Sequence, residues 1–186
     1  HTTPPPPARP RPHLGPQHVL VGAQTESQFA RASKGALTAV VRFEGRAAHS
    51  AYPERGDSAI KKMIAAIAAI EATDWGSHEI LGKATVNVGV VRGGEKPNVI
   101  PAGAELDMII RTVGSPEEVR AKLEKIVSRH NGHITEHRGN PPMFMHVPEG
   151  EEARVVAFNT DVPHLGNLGK PLLFGPGSIL DAHGAA

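Results

Sequence analysis

The chain has 186 residues and is almost neutral, with 20 Lys and Arg residues against 19 Asp and Glu residues. This length allows one domain of ordinary size with additional segments at its ends. The balanced charge excludes a chain-wide positive field, so we expect neither nucleic acid nor an anionic membrane as a partner. Cysteine is absent, so a metal would have to be bound by His and carboxylate groups.

The apolar runs are short, and none approaches the roughly 20 residues that cross a bilayer. The first residues also lack the charged-then-apolar pattern of an export signal. We therefore expect a protein without a membrane span, located in the cytoplasm.

Residues 1–17 are rich in proline and carry almost nothing to bury. This composition predicts an extended, polyproline-like or disordered arm. We prefer a tail without a function of its own. Docking of the arm into an aromatic groove of another protein is the alternative.

Three stretches alternate between apolar and other residues, which is the pattern of a strand with one face on a core. They cover residues 36–43, 83–91 and 104–111. A weaker strand follows at residues 133–137. In the second stretch, the alternation predicts that four residues share one face: Ala84, Val86, Val88 and Val90.

Two helices are predicted between these strands. The first follows a cap at Asp57 or Ser58 and runs to about residue 72. Its apolar side chains recur three and four positions apart and should form one buried stripe: Ile60, Met63, Ile64 and Ile67. The second begins with Ser115 as its cap, with Glu118 three residues later, and stops before Gly132.

The order of these elements is strand, helix, strand, strand, helix, strand. It predicts an α+β fold, namely a ferredoxin-like split βαβ (βαββαβ) sandwich whose four-stranded antiparallel sheet carries two helices on one face. The region after residue 138 contains a strand-like segment at residues 155–158 and loops rich in Gly and Pro. It is too short to form a core unaided, so we expect it to lie on another part of the protein.

Four short stretches carry a resemblance to a known family. They are Lys34-Gly35 with the segment GRAAHSAYP at residues 45–53, PNVIP at residues 97–101, the strand that ends in Arg111, and GPGS at residues 175–178 with a histidine shortly after. In this order and spacing they resemble the di-zinc metallopeptidases and amidohydrolases of the acetylornithine deacetylase and succinyl-diaminopimelate desuccinylase type.

The resemblance implies a domain organisation. Residues 35–138 would be the dimerisation (lid) domain, and residues 18–34 a linker or remnant of the catalytic domain. Residues 139–186 would be the C-terminal remnant of that α/β catalytic domain. Since lid domains pair in this family, the resemblance also implies a homodimer.

The resemblance further implies roles for single residues. His49 would stabilise the oxyanion of the tetrahedral intermediate in the active site of the partner subunit. Asn98 and Arg111 would bind a carboxylate of the substrate, a small-molecule N-acyl amino acid or peptide. Gly177 and Ser178 would also contact the substrate.

The residue types by themselves leave simpler readings open. His49 in a Gly-rich loop is otherwise a solvent-exposed turn residue, and Asn98 suits a turn before Val99. Arg111 is otherwise a surface charge that pairs with Glu105 or Asp107 on the polar face of its strand.

The sequence also departs from the family pattern at the metal ligands. The intact family holds two zinc ions, and no histidine here is followed two residues later by aspartate. Ala23 stands where the family carries a zinc-binding acid, and Glu26 lies three residues away. Of the expected ligands His183 remains, and one imidazole does not hold a catalytic zinc, so we do not expect this chain to retain the metal by itself.

These observations favour one hypothesis over another. The first hypothesis is that the chain is part of a zinc-dependent amidohydrolase or peptidase, lacks most metal ligands and is inactive alone. It leaves open whether this chain is itself an enzyme. The alternative is a non-catalytic dimerisation or small-ligand-binding module that keeps the lid fold.

Overall fold

The computed structural model describes residues 17–165 and 168–179. Its helices are α1 (Ala59–Glu71) and α2 (Pro116–Ser128). Its strands are β1 (His18–Gly22), β2 (Phe29–Ser33), β3 (Gly35–Glu44), β4 (Ser77–His78), β5 (Gly82–Lys83), β6 (Thr85–Gly93), β7 (Gly103–Thr112), β8 (Gly132–Asn140), β9 (Met143–Phe144), β10 (Ala153–Val156) and β11 (Lys170–Phe174).

The largest sheet has four antiparallel strands in the order β6-β7-β3-β8. Helices α1 and α2 cover one of its faces and contact each other. The α+β class and the antiparallel sheet with few helices confirm the predicted fold. The four sheet strands and both helices lie within a few residues of their predicted positions.

The core of this lid unit lies between the sheet and the two helices. Alternate residues of β3 and β7 face it, which is why Leu37 pairs with Ile110 and Val41 with Leu106 across the two strands. The helices contribute their own apolar stripes. The largest fully buried side chains in this core are those of Phe43, Leu37, Ile70, Leu106, Ile110, Leu123, Val41 and Val127.

Two predicted core positions are wrong. The Ile64 side chain is 59% exposed, because α1 faces the sheet with Met63, Ala66 and Ile70 instead. Val90 does not share a face with Val88, since the register of β6 shifts between these residues and brings Val90 opposite Asp107. A β-bulge at this point reverses the inward and outward alternation.

The helix starts agree with the predicted caps and refine them. Ser58 caps α1, because its Oγ accepts a hydrogen bond from the backbone N–H of Lys61 at 3.3 Å. Ser115 caps α2 and accepts from the N–H of Glu118 at 3.4 Å. The Ser115 hydroxyl donates to the Glu117 carboxylate at 2.7 Å, which lowers the pKa of Glu117, so Glu117 rather than Glu118 is the side-chain partner.

A smaller unit is built from the segments on both sides of the lid. Strand β1 pairs in parallel with β11, and β10 pairs in parallel with β2. Five residues form its buried apolar cluster: Ala30, Met145, Val156, Val162 and Leu173. The C-terminal segment thus acquires a core by packing on residues that precede the lid, as its composition predicts.

The chain crosses between the two units at two adjacent points. A Cβ on Gly35 would lie 2.4 Å from the carbonyl oxygen of Asn140, so only glycine fits where the crossings meet. The Lys34 ammonium group is buried beside them and donates to the carbonyl of Lys83 at 2.5 Å. The first crossing is therefore held to the segment that leads into β6.

Neither of the two described α-helices combines the length and the apolar composition that a bilayer crossing needs. The proline-rich arm prediction concerns residues 1–17, of which all but Gln17 lie outside the described residues.

Candidate functional site

The loop that carries His49 spans residues 45–57 and is called here the lid-histidine loop. Backbone hydrogen bonds close its base, from Gly45 N–H to the Ala102 carbonyl at 2.8 Å and from Asp57 N–H to the Arg46 carbonyl at 2.9 Å. A Cβ on Gly45 would lie 2.1 Å from the Asp57 carbonyl oxygen. Glycine is therefore required at the base of the loop.

The tip of this loop pairs with the segment that precedes β7. His49 forms an antiparallel bridge with Val99, and the Ser50 N–H donates to the Asn98 carbonyl at 2.9 Å. The structure thus brings two predicted site residues, His49 and Asn98, onto neighbouring backbone segments.

The imidazole of His49 is exposed and has a defined hydrogen-bonding pattern. Its Nδ1 accepts a hydrogen bond from the backbone N–H of Ala51 at 3.1 Å. In the neutral ring the proton then resides on Nε2, which is left as an outward donor. The ring of Tyr52 meets the imidazole edge-on, with 6.4 Å between the ring centroids.

Arg111 lines a cleft between the lid and the smaller unit, with a volume of about 370 Å³. Strand β7 supplies Arg111, and the smaller unit supplies the other walls. These walls include Gly22, Ala23, Thr160, Asp161 and Ile179. A larger hollow of about 710 Å³ lies over the helix-free face of the sheet and contains none of the predicted site residues.

The guanidinium of Arg111 is half-buried and has no carboxylate within ion-pair distance among the described residues. Burial lowers the pKa of Arg111, because it withdraws water from the charged form. The two acids of its strand are already engaged: Glu105 binds Arg42 at 2.9 Å and Asp107 binds Arg92 at 3.1 Å. The reading of Arg111 as a surface charge paired with these acids is therefore wrong.

A second unpartnered polar group lines the same cleft. The Oγ1 atom of Thr160 is buried and has no hydrogen-bond partner within the described part of the chain. Buried hydroxyl groups are normally hydrogen-bonded, and leaving one unpaired costs about 1–3 kcal/mol.

The loop at residues 175–178 forms part of the same region. A Cβ on Gly175 would lie 2.2 Å from the carbonyl oxygen of Ala23, so this loop sits directly on the segment that begins at Ala23. Gly177 has a φ of +78°, and the Ser178 hydroxyl donates to the Glu26 carboxylate at 3.2 Å. Ile179, the next residue, lines the Arg111 cleft.

The described residues do not fit a catalytic metal centre. Ala23 offers a methyl group, and the Glu26 carboxylate is held by Arg154 and Ser178, which lower its pKa. In residues 17–165 and 168–179, no three His, Asp or Glu side chains converge on one point. The predicted metal ligand His183 lies outside the described residues.

The predicted site residues fall into two groups at opposite ends of β7. The lid-histidine loop follows Glu44, which pairs with Gly103 at the start of β7. Arg111 lies eight residues further along β7. At about 3.3 Å per residue this separation is roughly 26 Å. One copy of the chain therefore does not bring His49 to its own Arg111.

Thr160 was not predicted from the sequence. It follows the short strand β10 in an irregular segment, where no periodic pattern marks a buried side chain.

Comparison with known proteins is consistent with this geometry. The family model described as the peptidase dimerisation domain (M20) matches residues 31–135, which is more than half of the chain. A peptidase M20 domain-containing protein of Schizosaccharomyces pombe is 33% identical over 89% of this chain and 42% of its own length. A probable carboxypeptidase of Aspergillus flavus is 35% identical, over 89% of this chain and 45% of its own length. The chain thus spans less than half the length of these relatives.

Solved structures share the fold at low sequence identity. An amidase of the hydantoinase/carbamoylase family from Burkholderia vietnamiensis has a TM-score of 0.67 at 13% identity, covering 87% of this chain and 46% of its own. The aminopeptidase PepT of Bacillus cereus has a TM-score of 0.62 at 17% identity, covering 82% and 47%. With the family model, these findings show that the chain belongs to the M20 peptidase family and carries its dimerisation domain.

Proposed function

We propose that this chain is the lid and part of the catalytic domain of a zinc-dependent amidohydrolase or peptidase. The reaction is hydrolysis of the amide bond in N-acyl amino acids or dipeptide-like substrates. The observation that carries the proposal is the half-buried guanidinium of Arg111 in the cleft between the two units, where none of the described residues forms an ion pair with it.

The substrate class follows from the polar groups of this cleft. A guanidinium donates two parallel hydrogen bonds to a carboxylate, which suits the free carboxylate of an N-acyl amino acid. The Thr160 hydroxyl adds a donor with no partner among the described residues. Arg111 therefore binds the substrate carboxylate and orients its amide bond, and rotation of the buried Thr160 hydroxyl toward the cleft supplies the second donor.

The assignment of the smaller unit rests on its strand pairing. Residues 18–34 and 139–186 belong to the catalytic domain in this proposal. Parallel pairs such as β1 with β11 are typical of sheets covered by helices on both faces. Leu20 of β1 is 64% exposed, which fits a strand whose covering is supplied elsewhere in a longer protein.

In this proposal, most of the zinc ligands belong to other parts of the longer protein. The intact family that the chain resembles holds two zinc ions, and the described residues gather no such ligand set. The contribution of the chain is binding and orientation of the substrate.

Carboxylate binding can be measured on this chain directly. Titration with N-acetylglycine, followed by amide chemical shifts in NMR spectra, should perturb Gly22, Ala23 and Thr160. Arg111→Gln should weaken this binding at least about tenfold, because a neutral amide replaces the charged guanidinium group. Arg111→Lys should retain part of the binding, because it keeps the positive charge. Thr160→Val should weaken it less, because it removes one neutral donor.

N-acetylglycinamide is the matched control ligand, because it differs by the loss of the negative charge. It should leave the Arg111 cleft unperturbed. Equal binding of the two compounds, or undiminished binding of N-acetylglycine by Arg111→Gln, would refute the proposed role of Arg111.

A homodimer through the lid completes the proposal. Strand β6 is an edge of the four-stranded sheet, and its sequence is rich in valine. Val91 on this edge is 54% exposed, and Ile64 on the neighbouring α1 is 59% exposed. The opposite edge, β8, carries His, Glu and Arg side chains that discourage pairing. We therefore assign the dimer contact to β6 and α1.

Dimerisation also gives His49 a role. Its Nε2 donor is exposed, and roughly 26 Å of strand separates its loop from Arg111 of the same chain. A second copy provides the cleft toward which this donor projects, where it stabilises the oxyanion of the intermediate. Asn98 lies beside His49 and contacts the same substrate.

The dimer contact can be tested by light scattering after size-exclusion chromatography. The unaltered chain should have twice the mass of one copy, whereas Ile64→Glu should raise the dimer dissociation constant at least about tenfold, because it places charge in an apolar interface. Leu20→Glu is the control, since it alters an equally exposed apolar residue on the smaller unit. A monomeric unaltered chain, or equal effects of both variants, would contradict the assignment.

A further inference from the structure

Two histidines from distant parts of the chain meet on the surface of the smaller unit. His18 is the first residue of β1, and His146 follows β9. Their ring centroids are 5.0 Å apart, with an angle of 31° between the ring planes. Backbone hydrogen bonds fix both residues to β11: the Lys170 N–H donates to the Gln17 carbonyl, and the His146 N–H donates to the Pro171 carbonyl, each at 3.0 Å.

The ring nitrogens of this pair have no partner in the part of the chain that the structure describes. Neither ring makes a hydrogen bond or ion pair within the described residues, and both side chains are exposed. By contrast, the Nδ1 atoms of His49 and His78 each accept a backbone N–H at 3.1 Å. The nitrogens of His18 and His146 are therefore available as ligands.

We propose that His18 and His146 together bind one divalent transition-metal ion. Two imidazoles on one such ion, each with a metal–nitrogen distance of about 2.0–2.1 Å and a tetrahedral angle between them, have ring centres roughly 5 Å apart. The observed centroid separation of 5.0 Å agrees with this geometry. Rotation of the exposed rings about their side-chain bonds would point one nitrogen of each ring toward the ion.

The ligand set determines which ions bind. Imidazole favours copper, nickel and zinc over magnesium and calcium, which prefer oxygen ligands. No third His, Asp or Glu joins the pair among the described residues, so water completes the coordination. Affinity should follow the order Cu²⁺ above Ni²⁺ and Zn²⁺, with no response to Mg²⁺.

One neighbouring charge modulates this site. Lys170 pairs with His18 in the parallel register of β1 and β11, so both side chains leave the same face of the sheet. The Lys170 ammonium repels a bound cation, although its long flexible stem lets it turn away. Lys170→Ala should therefore strengthen metal binding.

The bound ion would link the start of β1 to the segment after β9. These segments flank the lid in sequence and hold the smaller unit together. Because an ion that binds the folded pair stabilises the folded state by mass action, it should raise the temperature of unfolding of this unit.

Calorimetric titration of the full chain, free of any affinity tag, with Ni²⁺ and with Cu²⁺ tests the proposal. One site per chain is expected, with at least about tenfold weaker binding in both His18→Ala and His146→Ala. Cu²⁺ should broaden the amide resonances of residues 17–19 and 145–147 before others. The matched control is His133→Ala, an exposed histidine of β8, which should bind as the unaltered chain does.

His146→Gln provides a second variant that keeps the size and polarity of the side chain, so a loss of binding there reports on ligation and not on folding. Unchanged affinity in His18→Ala and His146→Ala, or a loss confined to His133→Ala, would overturn the proposal. Broadening that starts elsewhere in the chain would do the same.

Discussion

Replacement of Phe43 by alanine should lower the free energy of unfolding by about 3–5 kcal/mol. Phe43 is fully buried near the end of β3, where its ring packs directly against Gly132 of β8. A Cβ on Gly132 would lie 2.5 Å from this ring, so the ring and the neighbouring strand are in close contact. Removal of the ring leaves a cavity that rigid strands on either side cannot fill.

Urea-induced unfolding, followed by circular dichroism, measures this effect. Phe144→Ala is the matched control, because it removes the same ring from a position that is 53% exposed. We expect less than about 1 kcal/mol for Phe144. Equal losses for the two variants would show that Phe43 is not a core residue of the lid.

The sequence was sufficient for the central strands and both helices of the lid. Their apolar residues follow one period over eight or more positions, and Ser58 and Ser115 mark the helix starts chemically. The alternation in β3 and β7 also correctly predicted strands with one face on a core. Long, regular patterns are informative because each residue repeats the same environment.

The errors arose where tertiary packing overrides a local pattern. The periodicity of α1 allowed two adjacent stripes, and the sheet beneath it selected the one with Met63, Ala66 and Ile70 over the one with Ile64. The bulge in β6 left no mark in the sequence beyond Gly89, which is also compatible with a regular strand. In both cases the deciding contacts come from other elements.

The candidate site was likewise predicted only in part from the sequence. The quoted motifs led to His49, Asn98 and Arg111, and the structure places the first two together. The cleft that Arg111 faces could not be predicted from the sequence, because its other walls come from segments far from Arg111 along the chain. Thr160 was missed because it lies in an irregular segment, where no periodic pattern marks a buried side chain.

Replacement of Gly45 by alanine should lower the free energy of unfolding by about 2–3 kcal/mol, at the upper end of what overpacking costs. The new Cβ would lie 2.1 Å from the Asp57 carbonyl oxygen and 2.8 Å from the Ala59 backbone nitrogen. Both atoms belong to backbone, which cannot rotate away as a side chain can. The base of the lid-histidine loop must therefore open, and the start of α1 moves with it.

The expected result also has a local signature. Because the Gly45 N–H bond to Ala102 closes the loop, its loss should accelerate amide hydrogen exchange at Gly45, Asp57 and Ala59 while the centre of β7 stays protected. Gly103→Ala is the control, since no atom lies within 4 Å of the added Cβ, and it should change stability by less than about 0.5 kcal/mol. If Gly45→Ala were as stable as Gly103→Ala, the base of the loop would have room for a Cβ, and glycine would not be required there.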